Sequence, residues 1–240
     1  MNFALILTGG VGQRLRSSGL PKQFIELYGK PIVAYTLDKF ELCEEIDQIV
    51  IVCHGSWIVK MEDIIKKYNF NKVTCIVAGG KERHDSVQIG LQEVNKKSNE
   101  KDIVVIHDGV RPLVKKSTIV ENIRIAKENG NAMTVRSVTE SVVVTKNETA
   151  TMADFKNRDD TYTLTSPQSF RVNELILAYQ ELKKITDKPI LDSSLVYAEL
   201  GKKIHLVKEQ GLNLKITTPE DFYYFRSMLE LEEKKSIFGL

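Results

Sequence analysis

The chain has 240 residues, of which 42% are hydrophobic and 28% charged, an ordinary composition for a globular protein with its own core. Its 34 Lys and Arg residues nearly balance 32 Asp and Glu residues, for a net charge of +2. This balance argues against a disordered chain and against a dedicated nucleic-acid-binding protein. Since the sequence shows no internal repeat and no low-complexity linker, we expect a single domain over residues 1–240.

Cysteine usage and the amino-terminal segment indicate a cytoplasmic protein. The three cysteines, Cys43, Cys53 and Cys75, form no Cys-x-x-Cys pair, so neither a disulfide framework nor a zinc knuckle is expected. The chain contains no apolar run of the roughly 18 residues that a membrane span requires. Its first ten residues have no basic segment before the apolar run and do not resemble a signal peptide. We expect no membrane partner.

Through the first 130 residues, short apolar runs alternate with amphipathic helical patterns. The runs are rich in β-branched residues and apolar on both faces, as in the buried strands of a parallel sheet. Strands are predicted at residues 3–7, 48–53, 73–77 and 103–106, and helices at residues 31–40, 58–68, 87–94 and 119–129. The third helix is expected to follow a capping box at residues 85–88. This alternation predicts an α/β fold with a doubly wound, mostly parallel sheet flanked by helices.

The pattern changes after Gly130. Strands are predicted at residues 132–138 and 142–145, and polar, turn-rich sequence follows through Asp160. We interpret residues at about 135–160 as a β-arm that projects from the sheet. Further along the chain, helices are predicted at residues 172–184 and 192–200 and a strand at residues 204–207. The last helix is predicted to begin with Thr218 as its N-cap and Pro219 at its first position, and to end near residue 235.

The strongest functional signal lies directly after the first predicted strand, in residues 8–24. Three glycines in this loop allow backbone N–H groups to approach an anion closely, and three cations in the same loop add positive charge. The glycines are Gly9, Gly10 and Gly12, and the cations are Arg14, Arg16 and Lys22. Because a polyphosphate needs both many donors and neutralising charge, the loop predicts a phosphate-binding site.

Three other interpretations compete for this loop. A dinucleotide fingerprint requires a third glycine at position 15, which Leu15 occupies. A Walker loop requires Gly-Lys-Ser/Thr after four spacer residues, and this is absent. A glycine turn with solvated charges is the alternative without a ligand.

Five motifs follow one another along nearly the whole chain. They are Gly9-Gly10-x-Gly12-x-Arg14 with Pro21-Lys22-Gln23, then AGGKERHDSVQIGL at residues 78–91, IHDGVRP at 106–112, SPQSFR at 166–171 after Arg158, and NLKITTPED at 213–221. Together they resemble the family of 2-C-methyl-D-erythritol 4-phosphate and ribitol-5-phosphate cytidylyltransferases. Five ordered motifs are specific, although no single one would be.

The resemblance implies a Rossmann-like nucleotidyltransferase that transfers CMP from CTP to a sugar-alcohol phosphate and releases pyrophosphate. It also implies Mg²⁺ as the cofactor, bridging the phosphates rather than held by a dedicated protein site, and a homodimer that exchanges the arm. The attacking phosphate oxygen is already anionic, so no nucleophile and base pair is needed. Catalysis then rests on positioning and charge stabilisation. We accordingly interpret His107 as a hydrogen-bonded structural residue rather than a base.

The same resemblance implies three groups of site residues. Arg14, Lys22 and Lys215 are the catalytic cations. The nucleotide-binding residues are Thr8, Gly9, Gly10, Gly12, Gly79, Gly80, Ser86 and Asp108, and the acceptor-binding residues are Arg111, Ser141, Arg158, Ser166 and Asp192. Asp108 follows the predicted strand at 103–106, where ligands bind in open α/β sheets. A helix cap or turn aspartate is its alternative reading.

Departures from the family pattern leave the acceptor open. Leu191 stands where the family has a threonine, followed by Asp192-Ser193-Ser194, and Glu140-Ser141 replaces Asp-Thr. Ser166 likewise replaces a threonine, so a hydroxyl is retained there but lost at Leu191. The motifs do not agree on which of the two enzyme types the chain resembles more. The spacing from Arg14 to Lys22 and HGSW at residues 54–57 resemble the ribitol type, whereas residues 82–91 resemble the methylerythritol type.

Two other functions compete with this hypothesis. A nicotinamide-dependent oxidoreductase predicts an acidic residue after the second strand to hold the ribose, and Cys53-His54-Gly55 offers none. A catalytically silent nucleotide-binding scaffold is suggested by the altered residues 191–194. Retention of Arg14, Lys22 and Lys215 speaks against the scaffold.

Overall fold

The computed structural model describes residues 1–10, 19–186 and 192–238. In these ranges the strands are β1 (Asn2–Thr8), β2 (Glu26–Leu27), β3 (Lys30–Pro31), β4 (Gln48–Cys53), β5 (Val73–Ala78), β6 (Ile103–Asp108), β7 (Asn131–Ser137), β8 (Val142–Val143), β9 (Phe155–Lys156), β10 (Tyr162–Arg171) and β11 (Leu206–Lys208). The helices are α1 (Ile32–Glu41), α2 (Ile58–Tyr68), α3 (Arg83–Asn95), α4 (Lys116–Asn129), α5 (Val172–Lys183), α6 (Ser193–Glu199) and α7 (Pro219–Phe238). None of these helices is both long and apolar enough to cross a membrane.

A seven-stranded sheet in the order β11-β7-β10-β6-β1-β4-β5 forms the centre of the molecule. Strands β6, β1, β4 and β5 are parallel, β10 runs antiparallel to both of its neighbours, and β11 is parallel to β7. The chain leaves β1 toward β4 and β5 and then returns to place β6 on the other side of β1. This reversal makes a topological switch point beside β1, where ligands bind in open α/β sheets. The predicted doubly wound, mostly parallel sheet is confirmed.

Helices cover both faces of the sheet because the buried strands are apolar on both sides. Alternate residues of β1 enter opposite cores: Ala4 and Ile6 pack with α1, α2 and α4, whereas Phe3 and Leu5 pack with α3, α5 and α6. Gly90 brings α3 close to the sheet, since an added Cβ would lie 2.4 Å from a methyl carbon of Leu5. The two cores hold the carboxyl ends of the parallel strands in fixed positions.

Strand β10 is the main element that the sequence analysis did not assign. Its buried middle is polar, with Thr165, Ser166 and Gln168 each at most 7% exposed, so it lacks the apolar pattern of a buried strand. The register shifts between Leu164 and Gln168, and the Ser166–Pro167 peptide bond is cis. The polar side chains at this irregularity form hydrogen bonds with other segments instead of packing into a hydrophobic core.

Two predicted boundaries are corrected. Helix α3 begins at Arg83, one turn before the expected start, because the Asp85 carboxylate accepts a hydrogen bond from the backbone N–H of Glu82 at 3.1 Å. The capping interaction therefore ends at Asp85 instead of starting there. The predicted strand at residues 142–145 is shorter, since only Val142 and Val143 pair in β8. The predicted cap of α7 is as expected, with the backbone N–H of Asp221 donating to the Thr218 hydroxyl.

Residues 138–161, which we call the arm, lie outside the central sheet between β7 and β10. Its β8 pairs antiparallel with β9 to form a small hairpin. The arm exposes Met152 at 86% and Phe155 at 48% of their possible surface. The extent of a single domain over residues 1–240 stays a prediction.

Candidate active site

A cleft of about 310 Å³ opens at the carboxyl ends of β1 and β6, at the switch point of the sheet. Five separate segments line it: the end of β1, the turn at Lys22, the start of α3, the end of β6 with the turn after it, and the segment before α7. The lining residues are Leu7, Thr8, Gly9, Gly10, Lys22, Gln23, Gly80, Lys81, Glu82, Arg83, Ser86, Asp108, Val110 and Lys215. The cleft therefore joins residues predicted from the first, second, third and fifth motifs.

The first glycine loop is held in place by a buried glutamine. The Gln23 side chain, 1% exposed, donates to the carbonyl of Thr8 at 2.7 Å and to that of Gly10 at 3.3 Å. The Thr8 hydroxyl donates in turn to the carbonyl of Val52 on β4 at 2.9 Å. Because Gln23 directly follows Lys22, it also fixes the turn that carries this cation into the cleft.

The second glycine loop packs against the first turn of α3. The Ser86 hydroxyl accepts the N–H of Gly80 at 3.2 Å and donates to the carbonyl of Glu82 at 3.2 Å. An added Cβ at Gly79 would lie 2.7 Å from the Ser86 hydroxyl, and one at Gly80 would lie 2.3 Å from the Cβ of Asp85. Both positions therefore need glycine for close packing, which leaves backbone groups of this loop at the wall of the cleft.

Asp108 ends β6 at the base of the cleft and is surrounded by cations. Its carboxylate lies 3.0 Å from Lys215 Nζ, 3.1 Å from Arg111 Nε and 3.6 Å from an Arg83 guanidinium nitrogen. Burial alone would raise the pKa of Asp108, but the charges of Lys215, Arg83 and Arg111 outweigh it and hold the pKa below its usual range. Asp108 is therefore ionised at neutral pH and anchors Lys215 in the cleft.

His107, the residue before Asp108, is fully buried. One ring nitrogen lies 3.2 Å from the carbonyl oxygen of Arg111 and the other lies 3.0 Å from the Ser166 hydroxyl. Burial lowers the pKa of His107 to about 4, so the ring is neutral at physiological pH. This is the hydrogen-bonded structural role that the sequence analysis assigned to it.

Three residues predicted to bind the acceptor make contacts within the protein. Arg111 pairs with Asp108 and donates to the carbonyl of Asn213 at 2.8 Å, while Ser166 is 2% exposed. The Asp192 carboxylate caps α6 through the N–H of Ser194 and accepts from Gln168 at 2.7 Å. Their contact with an acceptor stays a prediction, and the geometry gives each of them a positioning role.

Ser141 and Arg158 lie on the arm and do not line the cleft described above. Both are exposed, and the described contact of Arg158 is a 3.9 Å ion pair with the neighbouring Asp159. Their predicted roles at the acceptor are untested. Gly12 and Arg14, which were predicted to bind phosphate, lie outside the described residues, as does Leu191.

Arg83 is a residue of the cleft that was not among the predicted site residues. Its guanidinium lines the cleft from the first turn of α3 and pairs with Asp108. The signal was available, because Arg83 lies within the second motif, residues 78–91. Gln23 was also part of a recognised motif but received no role, since its two carbonyl acceptors are visible only in the fold.

The cleft combines backbone donors from two glycine loops with the cations Lys22, Arg83 and Lys215. Among the residues that the structure describes, no group of three or more His, Cys, Asp or Glu side chains is placed to hold a metal ion. Such a site suits a ligand that brings several negative charges and its own counter-ion. The fold and site define a Rossmann-like nucleotide-binding protein whose cleft is equipped for transfer at a phosphate group.

Comparison with known proteins identifies the family. The family model for 2-C-methyl-D-erythritol 4-phosphate cytidylyltransferase matches residues 3–230. A ribitol-5-phosphate cytidylyltransferase of Streptococcus agalactiae is 36% identical over all of both chains, and a 2-C-methyl-D-erythritol 4-phosphate cytidylyltransferase of Clostridium botulinum is 40% identical over 95% of this chain and 97% of its own. The crystal structure of 4-diphosphocytidyl-2C-methyl-D-erythritol synthase from Anaerococcus prevotii superposes with a TM-score of 0.81 at 25% identity, over 95% of this chain and 96% of that one. The chain belongs to the 2-C-methyl-D-erythritol 4-phosphate cytidylyltransferase family.

Membership in this family makes the protein a nucleotidyltransferase and confirms the cytidylyltransferase hypothesis. Neither the nicotinamide-dependent oxidoreductase nor the silent scaffold is supported by these relatives. The end of β4 agrees with this outcome, since Cys53 and His54 offer no carboxylate for a nicotinamide ribose.

Proposed function

We propose that the protein transfers CMP from CTP to D-ribitol 5-phosphate, with release of pyrophosphate. The observation that carries the proposal is the meeting of Lys22 and Lys215, from opposite ends of the chain, in one cleft between two glycine loops. A cytidine nucleotide fits the tightly packed loop at Gly79 and Gly80, because backbone groups can read a small pyrimidine where a purine would clash. The triphosphate then lies toward the glycine loop after β1.

The reaction needs charge stabilisation rather than a base. An anionic phosphate oxygen of the acceptor attacks the α-phosphorus of CTP, the new P–O bond forms, and the bond to the bridging oxygen breaks. Pyrophosphate leaves with that electron pair. Lys22, Lys215 and, by resemblance, Arg14 offset the negative charge that develops at the α-phosphorus. Asp108 holds Lys215 at the cleft before the substrates arrive.

Support for ribitol 5-phosphate as the acceptor comes from sequence. The Streptococcus relative named for that acceptor aligns with the whole chain, and residues 54–57 resemble the ribitol-type enzymes. A second candidate is 2-C-methyl-D-erythritol 4-phosphate, which is favoured by residues 82–91 and by the higher identity to the Clostridium relative. Both acceptors are alditol phosphates, so the same cleft chemistry serves either one.

Mg²⁺ is the cofactor that the chemistry of the cleft fits. Asp108 is the buried carboxylate of the cleft, and three cations already balance its charge. Such a site would hold the ion through the phosphates of CTP, as Mg²⁺ sites with substrate phosphates commonly do. When bound, the ion would neutralise charge on the triphosphate. Calorimetry should then detect Mg²⁺ binding with CTP present and little without it.

We further propose a cytoplasmic homodimer that forms through the arm. The exposed apolar side chains of Met152 and Phe155 support an interface there. Cys43, Cys53 and Cys75 are free thiols, which agrees with a reducing compartment.

The deciding experiment measures pyrophosphate release with CTP, Mg²⁺ and a panel of acceptors: ribitol 5-phosphate, methylerythritol 4-phosphate and glycerol 3-phosphate. Turnover should be fastest with ribitol 5-phosphate and should be lost when ATP or GTP replaces CTP. Faster turnover with methylerythritol 4-phosphate would move the assignment to the second candidate. Tight CTP binding without turnover on any acceptor would refute the proposed function.

A further inference from the structure

Four hydrogen bonds form a closed ring beneath the cleft. His107 contacts the carbonyl oxygen of Arg111 at 3.2 Å, and the Ser166 hydroxyl contacts the other His107 nitrogen at 3.0 Å. The Asn213 amide donates to the carbonyl of Ser166, and Arg111 donates to the carbonyl of Asn213 at 2.8 Å. We call these four residues the ring.

The direction of every hydrogen bond in the ring follows from chemistry. A backbone carbonyl can only accept, so His107 must carry its proton on Nε2, which faces Arg111. Nδ1 then has a lone pair, and the Ser166 hydroxyl must donate to it. The Ser166 oxygen is left to accept the backbone N–H of Asp108 at 3.3 Å. Only the Nε2–H tautomer of neutral histidine satisfies all of these bonds.

Three of the four ring residues are buried, so the hydrogen bonds of their side chains cannot be replaced by water at low cost. His107 is 0% exposed, and Ser166 and Asn213 are each 2% exposed. A donor or acceptor left unpaired in such a place carries its full desolvation penalty. The ring therefore favours one arrangement of the segments that it joins.

Two of the joined segments carry residues of the cleft, Asp108 and Lys215. His107 directly precedes Asp108, and Arg111 pairs with the Asp108 carboxylate. Asn213 lies two residues before Lys215, in a segment that is neither helix nor strand. After Lys215, the segment is tied by the Ile216 N–H to the carbonyl of Val110 at 2.9 Å. Lys215 is thus held between an anchor at Asn213 and one at Ile216.

We propose that His107 and Asn213 are positioning residues that set the place of Lys215 relative to Asp108, an inference that rests on the proposed function. Neither side chain lines the described cleft, so neither is expected to contact substrate. They act through the backbone of their own segments. Because a displacement of about 1 Å at a catalytic group can cost roughly 100-fold in rate, a small shift of Lys215 should be visible in kinetics.

The kinetic test uses His107→Phe and Asn213→Ala. Phenylalanine at position 107 keeps the aromatic contact with Phe40 but removes both hydrogen bonds of His107. Alanine at position 213 removes the hydrogen bond to the carbonyl of Ser166. We expect kcat to fall by about 100-fold in each variant, with little change in KM for CTP, because Lys215 acts mainly on the transition state. His107→Gln, which can still donate to Arg111, should recover part of the rate.

Asn2→Ala is the matched control. Asn2 is also a buried asparagine, and its amide donates to the carbonyl of Glu45 at the opposite end of β1 from the cleft. It should lower the melting temperature as Asn213→Ala does, with kcat unchanged. The positioning role would be overturned if Asn2→Ala and Asn213→Ala lost kcat equally. It would also be overturned if His107→Phe and Asn213→Ala folded and kept the wild-type kcat.

Two spectroscopic readouts do not depend on turnover. Nitrogen NMR of the wild-type protein should show His107 as the Nε2–H tautomer, and the Nδ1–H tautomer would refute the ring. The side-chain carbon signal of Lys215 should shift in Asn213→Ala and stay in place in Asn2→Ala. If no acceptor supported turnover but both readouts were as expected, the proposed function would fail while the positioning role would stand. An unmoved Lys215 signal would overturn that role.

Discussion

The cleft and the arm are built in opposite ways. Asp108 at the base of the cleft and His107, Ser166 and Asn213 beneath it are buried, and they have partners in segments far apart in the chain. Within the arm, two strands of two residues each pair as a hairpin. The side-chain hydrogen bonds of the arm, such as that between Thr151 and Asp154, join residues close together in the sequence. The arm also leaves Met152 and Phe155 exposed.

Under the proposed function, the two regions would serve the two halves of the reaction. The cleft residues Lys22, Lys215 and Asp108 are brought together within a single chain. The arm residues Ser141 and Arg158, which the family resemblance assigns to the acceptor, have no comparable support among the described residues. A partner subunit would supply that support in the proposed homodimer. The predictions below separate the two regions.

The largest effect is expected for Lys22→Ala, in the cleft. Loss of a cation that stabilises the transition state should lower kcat by about 100-fold, near 3 kcal/mol, while the melting temperature stays nearly unchanged. Steady-state pyrophosphate release and thermal unfolding measure the two quantities. Lys97→Ala, at an exposed position after α3, is the control and should leave kcat intact. A large loss of stability in Lys22→Ala would instead show a structural role.

The second prediction concerns pH and the buried core of the cleft. The pKa of His107 is about 4 in the folded chain, below its ordinary value of 6.5, so the unfolded chain binds the extra proton between these values. The free energy of unfolding should therefore fall on acidification from pH 7 to 5, by about 2 kcal/mol from this residue. Asp108, whose pKa is lowered by its cationic partners, adds a further loss below about pH 4.

Urea unfolding at pH 7, 6 and 5 tests this dependence. His107→Phe removes the titrating group and should flatten the profile in this window. Burial raises the pKa of Glu209, so that carboxyl acts in the opposite direction and offsets part of the loss. A free energy of unfolding in the wild-type protein that did not change between pH 7 and 5 would contradict a buried, neutral His107.

A smaller effect is expected in the arm, for Arg158→Ala. If Arg158 contacts the acceptor phosphate, its loss should raise KM for the acceptor by about tenfold, or 1.4 kcal/mol, and leave KM for CTP unchanged. Initial rates at varied concentrations of each substrate measure the two constants. Arg124→Ala on α4, which pairs with Glu121 and Glu128, is a control for losing a surface arginine. Equal changes in both KM values would remove the distinction between the two regions.

The parallel strands of the sheet were predictable because their buried residues form apolar runs in the sequence. Strands β1, β4, β5 and β6 were predicted within two residues of their observed ends, since each is an apolar run between turn signals. Strand β10 escaped because its buried residues Thr165, Ser166 and Gln168 are polar. Their burial is compensated by partners on other segments, such as Asp192 for Gln168, which the sequence alone does not reveal.

The site shows the same division. Lys22, Asp108 and Lys215 were predicted because motif residues follow strand ends or conform to the family pattern, and they do meet in one cleft. The full set of cations around Asp108 was not predictable, because Arg83 and Lys215 reach it from distant parts of the chain, whereas Arg111 lies in the same turn. The ring was beyond sequence reasoning for the same reason: it joins residues 107, 111, 166 and 213 through geometry rather than spacing.

The smallest effect on the free energy of unfolding is expected for Phe155→Ser in the arm. Phe155 is 48% exposed within one chain, so its replacement should change the stability of the monomer by less than about 0.5 kcal/mol. If the arm forms the dimer interface, the same change should weaken the dimer, which sedimentation over a range of concentrations would detect. Phe170→Ser, at a fully buried position of β10, should instead unfold the chain and serves as the contrast. Unchanged dimerisation in Phe155→Ser would mean that this side chain contributes little to the interface, and a wild-type monomer at all concentrations would refute the dimer.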